Sequence, residues 1–250
     1  MFIRKTEEID ALQKGINQFR PLSSHALKQL KEYYRIGLTY TSNALEGNSL
    51  TETETRIVLE EGITIGGKPL KDHFEAIGHS EAYDHLYKLA GKAVITERDL
   101  LELHILFYYR IDRESAGVYR KVPVIIAGVD VQFPPPSKIK PLMQAFIKEI
   151  PVLKETHHAV EYAALLHLKL VAIHPFIDGN GRIARLLMNL ALLQTGYVIT
   201  LIPPVMRNEY LESLKAGNRG DNSRFLNLIL NLVYESQKEY LRLLRTLHEV

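Results

Sequence analysis

Cysteine is absent from the 250 residues, which excludes a disulfide framework and any thiolate metal site. The absence is compatible with a reducing compartment and does not establish one. Charge of a dominant sign is also missing. The 31 Lys and Arg against 29 Asp and Glu leave a net charge of +2, too balanced for electrostatics alone to argue for nucleic acid or an acidic membrane surface. No apolar run approaches the roughly 18 residues that a membrane span needs. The first thirteen residues carry Arg4, Lys5, Glu7, Glu8 and Asp10, so they lack the apolar core of a signal peptide. There is no internal repeat, low-complexity tract or clear linker. A soluble, cytoplasmic protein is the expectation, with one large domain or a domain and a small appendage.

Helical periodicity is abundant. Leu27, Leu30, Tyr33, Tyr34, Gly37 and Leu38 form a 3–4 spaced stripe leading into a turn at Ser42–Glu46. Thr51 with Glu54 reads as a capping box opening a short helix that ends near Gly62. Further helices are expected from about Lys71 to Ala90 and from Thr96 and Asp99 to about Tyr109. One stretch reads as β structure: Val122, Val124, Ile125 and Ile126, then Val129, Val131 and Phe133, flank Ala127-Gly128 as a hairpin would. Pro134-Pro135-Pro136 ends it, and Ser137 is placed to cap the next helix. Two strongly apolar helices, one from about Met206 and a long amphipathic C-terminal helix bearing Phe225, Ile229, Leu232, Tyr240, Leu244 and Leu247 complete the chain. The fold expected is all-α with one protruding hairpin.

The most informative stretch is His174-Pro175-Phe176-Ile177-Asp178-Gly179-Asn180-Gly181-Arg182-Ile183-Ala184-Arg185. An apolar helical run over residues 161–173 is stopped at a histidine by the following proline. A short loop then brings a carboxylate and Gly-Asn-Gly to the start of a second apolar run. Unpaired N–H groups at a helix N-terminus carry partial positive charge, and glycines let a ligand approach them. Two arginines there oppose the helix dipole, a broken local rule that a bound polyanion explains. Arg182, Arg185 and Asn189 share one stripe of a buried helix and so call for a common partner. The bland alternative is an internal salt-bridge seam with a carboxylate elsewhere. His174 alone could be a helix C-cap, and Asp178 alone a turn residue ahead of glycine. Together with the anion cradle they become a candidate general base and a candidate Mg²⁺ ligand. Phosphoryl or nucleotidyl transfer is the chemistry this combination suits.

The same stretch resembles the signature of the Fic family, H-x-F-x-[DE]-[GA]-N-G-R-x-x-R, with every defined position filled. The resemblance extends roughly from Thr41 to Phe225. Ser42-Asn43-Ala44-Leu45-Glu46-Gly47-Asn48 is similar to the family's inhibitory motif, [ST]-x-x-x-E-[GN]. Gly117-Val118-Tyr119-Arg120 and the following hairpin resemble its substrate flap, and Asn218-Arg219-Gly220-Asp221 its adenine-side loop. The resemblance implies a helical domain with a β-hairpin flap that transfers AMP from ATP, with Mg²⁺, to a Ser, Thr or Tyr hydroxyl of a target protein. It implies that His174 is the base and Asp178 the metal ligand. Backbone at Gly179, Asn180 and Gly181 would hold the α- and β-phosphates, and Arg182 and Arg185 the outer phosphates, Arg185 the γ-phosphate in particular. Asn218 would bond the adenine, with Tyr210 lining that pocket. Glu46, with Ser42 and Gly47 in its motif, would reach across to Arg185 and take the γ-phosphate's place. Relatives that act as kinases carry lysine at the position of Gly181, so glycine there points towards nucleotidyl transfer. The target would add as a strand along the flap's edge. No nucleic-acid or membrane partner is expected; a homodimer is compatible with the long C-terminal helix.

The corresponding organisation is an N-terminal helical segment over residues 1–38 and a Fic-like catalytic domain over 39–225. That domain includes an inhibitory helix at about 39–48 and a flap at about 117–136, and residues 226–250 form a C-terminal helix packed on it. Three alternatives stand beside transfer of AMP: its removal from modified proteins, with Glu46 activating water; a non-catalytic nucleotide-sensing module; and transfer of another group, such as UMP or phosphate. Gly62-Ile63-Thr64-Ile65-Gly66-Gly67-Lys68-Pro69 nearly matches a P-loop, but proline replaces the Mg²⁺-binding hydroxyl residue and a helix precedes it, so it reads as a plain loop. His167 and His174 lie two helical turns apart, about 10 Å, too far for one zinc.

Overall fold

The structure, a computed structural model, describes residues 2–125 and 132–248. Its described residues form ten α-helices and no strand. In chain order they are α1 (Phe2–Asn17), α2 (Ser24–Ala44), α3 (Glu52–Glu61), α4 (Leu70–Ala90), α5 (Glu97–Tyr108), α6 (Pro136–Thr156), α7 (Ala159–Ile173), α8 (Asn180–Gln194), α9 (Arg207–Asn218) and α10 (Ser223–His248). A 3-10 turn, Pro204–Met206, precedes α9.

The strongly apolar α7 and α8 pack on each other at the centre. Tyr162, Ala163, Ala164, Leu166, Leu170, Ile183, Leu186, Leu187 and Leu190 are all buried. A helix apolar nearly all round is stable only when neighbours cover every side. Here α4 and α5 cover α8, while α6, α9 and α10 cover α7. The amphipathic α10 turns Phe225, Ile229, Leu232 and Leu244 inward and carries α1 along its length. Capping boxes start α3 and α5 as the sequence predicts: Thr51 and Glu54, and Thr96 and Asp99, each satisfy the other's backbone N–H. The P-loop lookalike is the loop between α3 and α4.

Two expectations are corrected. Ser137 does not cap α6; Pro136 opens it, its missing N–H being one that a first turn leaves unpaired anyway. The hairpin over residues 122–133 is not found among the described residues: 122–125 and 132–135 are irregular, and 126–131 lie outside the description. One side chain ties the described arms together. Arg120 donates from Nη1 to the Val122 carbonyl at 3.0 Å and from Nη2 to the Pro134 carbonyl at 2.6 Å. The stretch predicted as the inhibitory helix is the end of the 21-residue α2, followed by a turn through Leu45, Glu46 and Gly47.

Candidate active site

Histidine 174 ends α7 in the left-handed region, at φ 51° and ψ 59°. A non-glycine residue held there is strained, and its neighbours must hold it. The buried Arg120 does so: its backbone N–H donates to the Pro175 carbonyl at 2.9 Å and its Nε to the His174 carbonyl at 2.7 Å. One arginine thus ties the arms at residues 122 and 134 to the end of α7. The Asn180 side chain closes the loop from the other end, accepting from Phe176 N and donating to Phe176 O, both at 2.9 Å. Gly179, at φ 81°, starts α8 in a conformation that a side chain would strain.

His104 braces the same loop from α5. Gly117 N donates to its Nδ1 at 2.8 Å, so its proton is on Nε2, which bonds the Asp178 carbonyl at 3.2 Å. The ring stacks on Phe176 at 3.8 Å. Burial pushes His104 down to about 4, which keeps that neutral tautomer in place. His174 is likewise pushed down to about 4, chiefly by burial; the Val171 carbonyl opposes the shift, Arg120 adds to it, and Glu46 and Asp178 oppose it. Its Nδ1 is buried, so Nε2 is the nitrogen left to the cavity. The imidazole is neutral at pH 7 and able to accept a proton.

Asp178 is half-exposed. Its Oδ1 accepts from Gly179 N at 2.6 Å and Arg182 Nη2 at 2.9 Å, and Lys71 Nζ stands 3.5 Å from Oδ2. Burial alone would raise its carboxyl, but Arg182, the Gly179 N–H and Lys71 together hold it below the ordinary value. Arg182 is buried; Nη1 meets Glu75 at 2.8 Å, and the guanidinium lies over the Phe107 ring at 4.6 Å. Arg185 is buried completely. Its Nε donates to Ser42 Oγ at 2.9 Å, Nη2 to the Ser42 carbonyl at 2.8 Å and to Glu46 Oε1 at 2.7 Å, and Nη1 to the Tyr210 hydroxyl at 2.9 Å. Tyr210 pairs in turn with His167 at 3.0 Å. Burial would raise the Glu46 carboxyl, but Arg185 and then Arg182 outweigh it and keep it ionised.

The three polar residues on the α8 stripe therefore do not share a partner, contrary to expectation. Asn189 bonds both backbone groups of Thr200, Arg182 takes Glu75 and Asp178, and Arg185 takes Ser42, Tyr210 and Glu46. α4, the end of α2 with α9, and the segment at Thr200 each supply a separate partner. The seam alternative thus holds for Arg182, while Arg185 meets the glutamate that the resemblance implies.

Two adjoining cavities open on this cluster. One, of about 300 Å³, is lined by His174, Asp178, Gly179, Asn180, Gly181 and Arg182, with Val124 and Ile125 of the flap arm. The other, of about 170 Å³, is lined by Leu211, Leu214, Tyr210, Asn218 and Arg207 of α9, with Phe133 and Val171. Glu46, His174 and Gly181 line both. A Cβ on Gly181 would collide with Glu46 Oε1, so glycine is what lets that carboxylate sit over the start of α8. Gly47 touches none of this; at φ 93° it turns the chain out of α2. His174, Asp178, Gly179, Asn180, Gly181, Arg182, Arg185, Ser42, Glu46, Tyr210 and Asn218 are all brought to one place. Sequence reasoning missed Glu75, Lys71, His104 and Arg207. Glu75 and Lys71 are four apart on α4, but nothing in that helix's pattern says which face meets α8. Among the described residues no group of three His, Asp or Glu side chains is arranged to hold a metal by itself.

Comparison with known proteins gives a consistent set of likenesses. The Fic/DOC family model matches residues 94–192. The chain is 36% identical over 241 residues, 95% of its length and 48% of the relative's, to the protein adenylyltransferase Fic of Drosophila yakuba. It spans about half the length of the curated relatives it matches. Among solved structures, Fic-1 (residues 134–508) from C. elegans matches with a TM-score of 0.87 at 30% identity, over 98% of this chain and 74% of that one. A Fic domain-containing signalling protein from Bacteroides thetaiotaomicron matches with a TM-score of 0.87 at 28% identity, over 96% and 97% of the two chains.

Proposed function

The chain belongs to the Fic/DOC family, and from that premise we propose that it is a protein adenylyltransferase, moving AMP from ATP to a hydroxyl side chain of a target protein. The observation that carries this reading is the meeting of a neutral His174, the Asp178 carboxylate and the N-terminus of α8 around two adjoining cavities. The target hydroxyl gives its proton to His174 Nε2. Its oxygen attacks the α-phosphorus, the Pα–O bond to the β-phosphate breaks, and pyrophosphate leaves. The backbone N–H groups of Asn180 and Gly181, in the first turn of α8, would face the developing phosphate charge, which preorganised donors stabilise without reorganisation. The smaller cavity, with Leu211 and Leu214 as apolar walls and Asn218 as a polar group, suits the adenine.

Asp178 fits Mg²⁺: among the described residues its Oδ2 has only the Lys71 ammonium beside it, at 3.5 Å. Mg²⁺ commonly takes one or two carboxylates together with substrate phosphates and water. Bound there with the nucleotide, it would neutralise phosphate charge.

Glu46 is the brake in this reading. Its carboxylate takes an Arg185 N–H that Ser42 and Tyr210 leave free, so the γ-phosphate and Glu46 compete for one guanidinium. Because the ionised Glu46 shares both cavities with His174, removal of AMP from a modified target by water is a second reading for the same residues. Labelled ATP tests the proposal: covalent label on protein with release of pyrophosphate is expected. Nucleotide binding without transfer, in wild type and in a Glu46→Gly variant alike, would leave only a nucleotide-sensing module.

A further inference from the structure

The last carbonyls of a helix have no partner within it. At the end of α2 the Leu45 carbonyl, one residue before Glu46, finds its partner far along the chain, Arg207 Nε at 2.8 Å. Arg207 opens α9, and three residues on the same helix presents Tyr210, whose hydroxyl holds Arg185 at 2.9 Å. Positions i and i+3 share a face. One face of α9 therefore grips both members of the Glu46–Arg185 pair, the carboxylate through its backbone and the guanidinium through Tyr210. Among the described residues no carboxylate pairs with Arg207, and it is exposed, so the bond to the turn is not incidental to a salt bridge and its loss opens no core cavity.

We propose that Arg207 is a positioning residue that seats the brake, holding the turn at Leu45 so that the Glu46 carboxylate stays on Arg185. This rests on the reading of Glu46 given above and extends it to the opening residue of α9. Because Arg207 also lines the smaller cavity, a base entering there meets the group that holds the turn. Nucleotide occupancy and inhibition are thereby coupled through one helix.

The test compares wild type, Arg207→Met, Glu46→Gly and the double variant by self-labelling with labelled ATP, with amide hydrogen exchange measured on the same proteins without nucleotide. Arg207→Met is expected to raise labelling roughly 5-fold or more, the low end of couplings between sites. It should also speed exchange at Glu46, Gly47 and Asn48, whose N–H groups bond the carbonyls of Asn43 and Ala44. The double variant should label no more than Glu46→Gly, because no carboxylate remains to be seated. A purely structural role would instead lower labelling in both backgrounds and leave exchange at the turn in step with the rest of α2. Arg207→Gln replaces the methionine form if that fails to fold. Strong labelling by Glu46→Gly with wild-type labelling by Arg207→Met overturns the assignment of Arg207. If Glu46→Gly labels like wild type, the brake itself is refuted, and unchanged exchange in Arg207→Met then refutes the seat independently.

Discussion

Arg182 and Arg185 lie one turn apart on α8, and each meets a glutamate at nearly the same distance, 2.8 Å to Glu75 and 2.7 Å to Glu46. Their surroundings differ. The Glu75 side chain is 6% exposed, sits inside α4 and accepts a further bond from Asn48 at 2.9 Å. The Glu46 side chain is 35% exposed, sits on a turn and faces both cavities. A sealed pair is structural, because removing either charge strands the other in a medium that solvates it poorly. A pair at a cavity rim is exchangeable, since an arriving phosphate can replace the carboxylate while the arginine stays satisfied. The two glutamates make similar bonds and, by this argument, do opposite work.

The largest expected effect sets the zero of the comparison. His174→Ala should lower transfer roughly 10²- to 10⁴-fold, the usual contribution of a general base, in wild type and in Glu46→Gly alike. Nucleotide affinity by titration calorimetry should stay close to wild type. Undiminished labelling by the alanine form would remove His174 from the chemistry.

Breaking the sealed pair comes next. Glu75→Gln should destabilise the fold by about 3 kcal/mol, the low end for breaking a buried pair, because Asp178 still faces Arg182. Urea denaturation would measure it. A change below about 0.5 kcal/mol, the range of ordinary surface substitutions, would erase the distinction between the two pairs.

Breaking the rim pair should show the reverse balance. Glu46→Gly is expected to raise self-labelling roughly 5- to 150-fold, as a coupling of 1–3 kcal/mol allows, with a smaller loss of stability than Glu75→Gln. Equal labelling by variant and wild type at matched ATP affinity would make Glu46 a bystander.

The smallest effect concerns pH. In the proposed reaction the base is the neutral imidazole, and burial holds free His174 near 4. Its proton is therefore already absent above about pH 5, and kcat/KM, which reports the free enzyme, should change little between pH 6 and 8. The rate should fall only as pH drops through about 4. An ascending limb centred near 6.5, the ordinary histidine value, would mean that the ring is solvated and the cavity differs from the one described.

Much of this was legible before any coordinates. The capping boxes at Thr51 and Thr96 act through hydrogen bonds three residues apart, and the 174–185 loop is built largely from contacts within itself, such as Asn180 on Phe176 and Asp178 on Gly179. Where reasoning from the residues alone failed, the cause was distance along the chain. The shared partner sought for Arg182, Arg185 and Asn189 does not exist because α4, α2 and the segment at Thr200 each reach α8 separately. Ser137 lost the cap to Pro136, a choice between two good N-terminal residues that no local rule decides.

By itself, then, the sequence determined the helices, their ends and the composition of the phosphate loop, because 3.6-residue periodicity and capping are local physics. Through the motif it also carried the residues proposed here to act. Tertiary structure alone decided which charges became sealed and which stayed exchangeable. By local pattern Glu46 and Glu75 are both acids on or beside helices, and only the motif singles out Glu46. Their different surroundings follow from the packing: Arg182 and Asn48 close around Glu75, whereas the turn bonded by Arg207 leaves Glu46 open to the cavity.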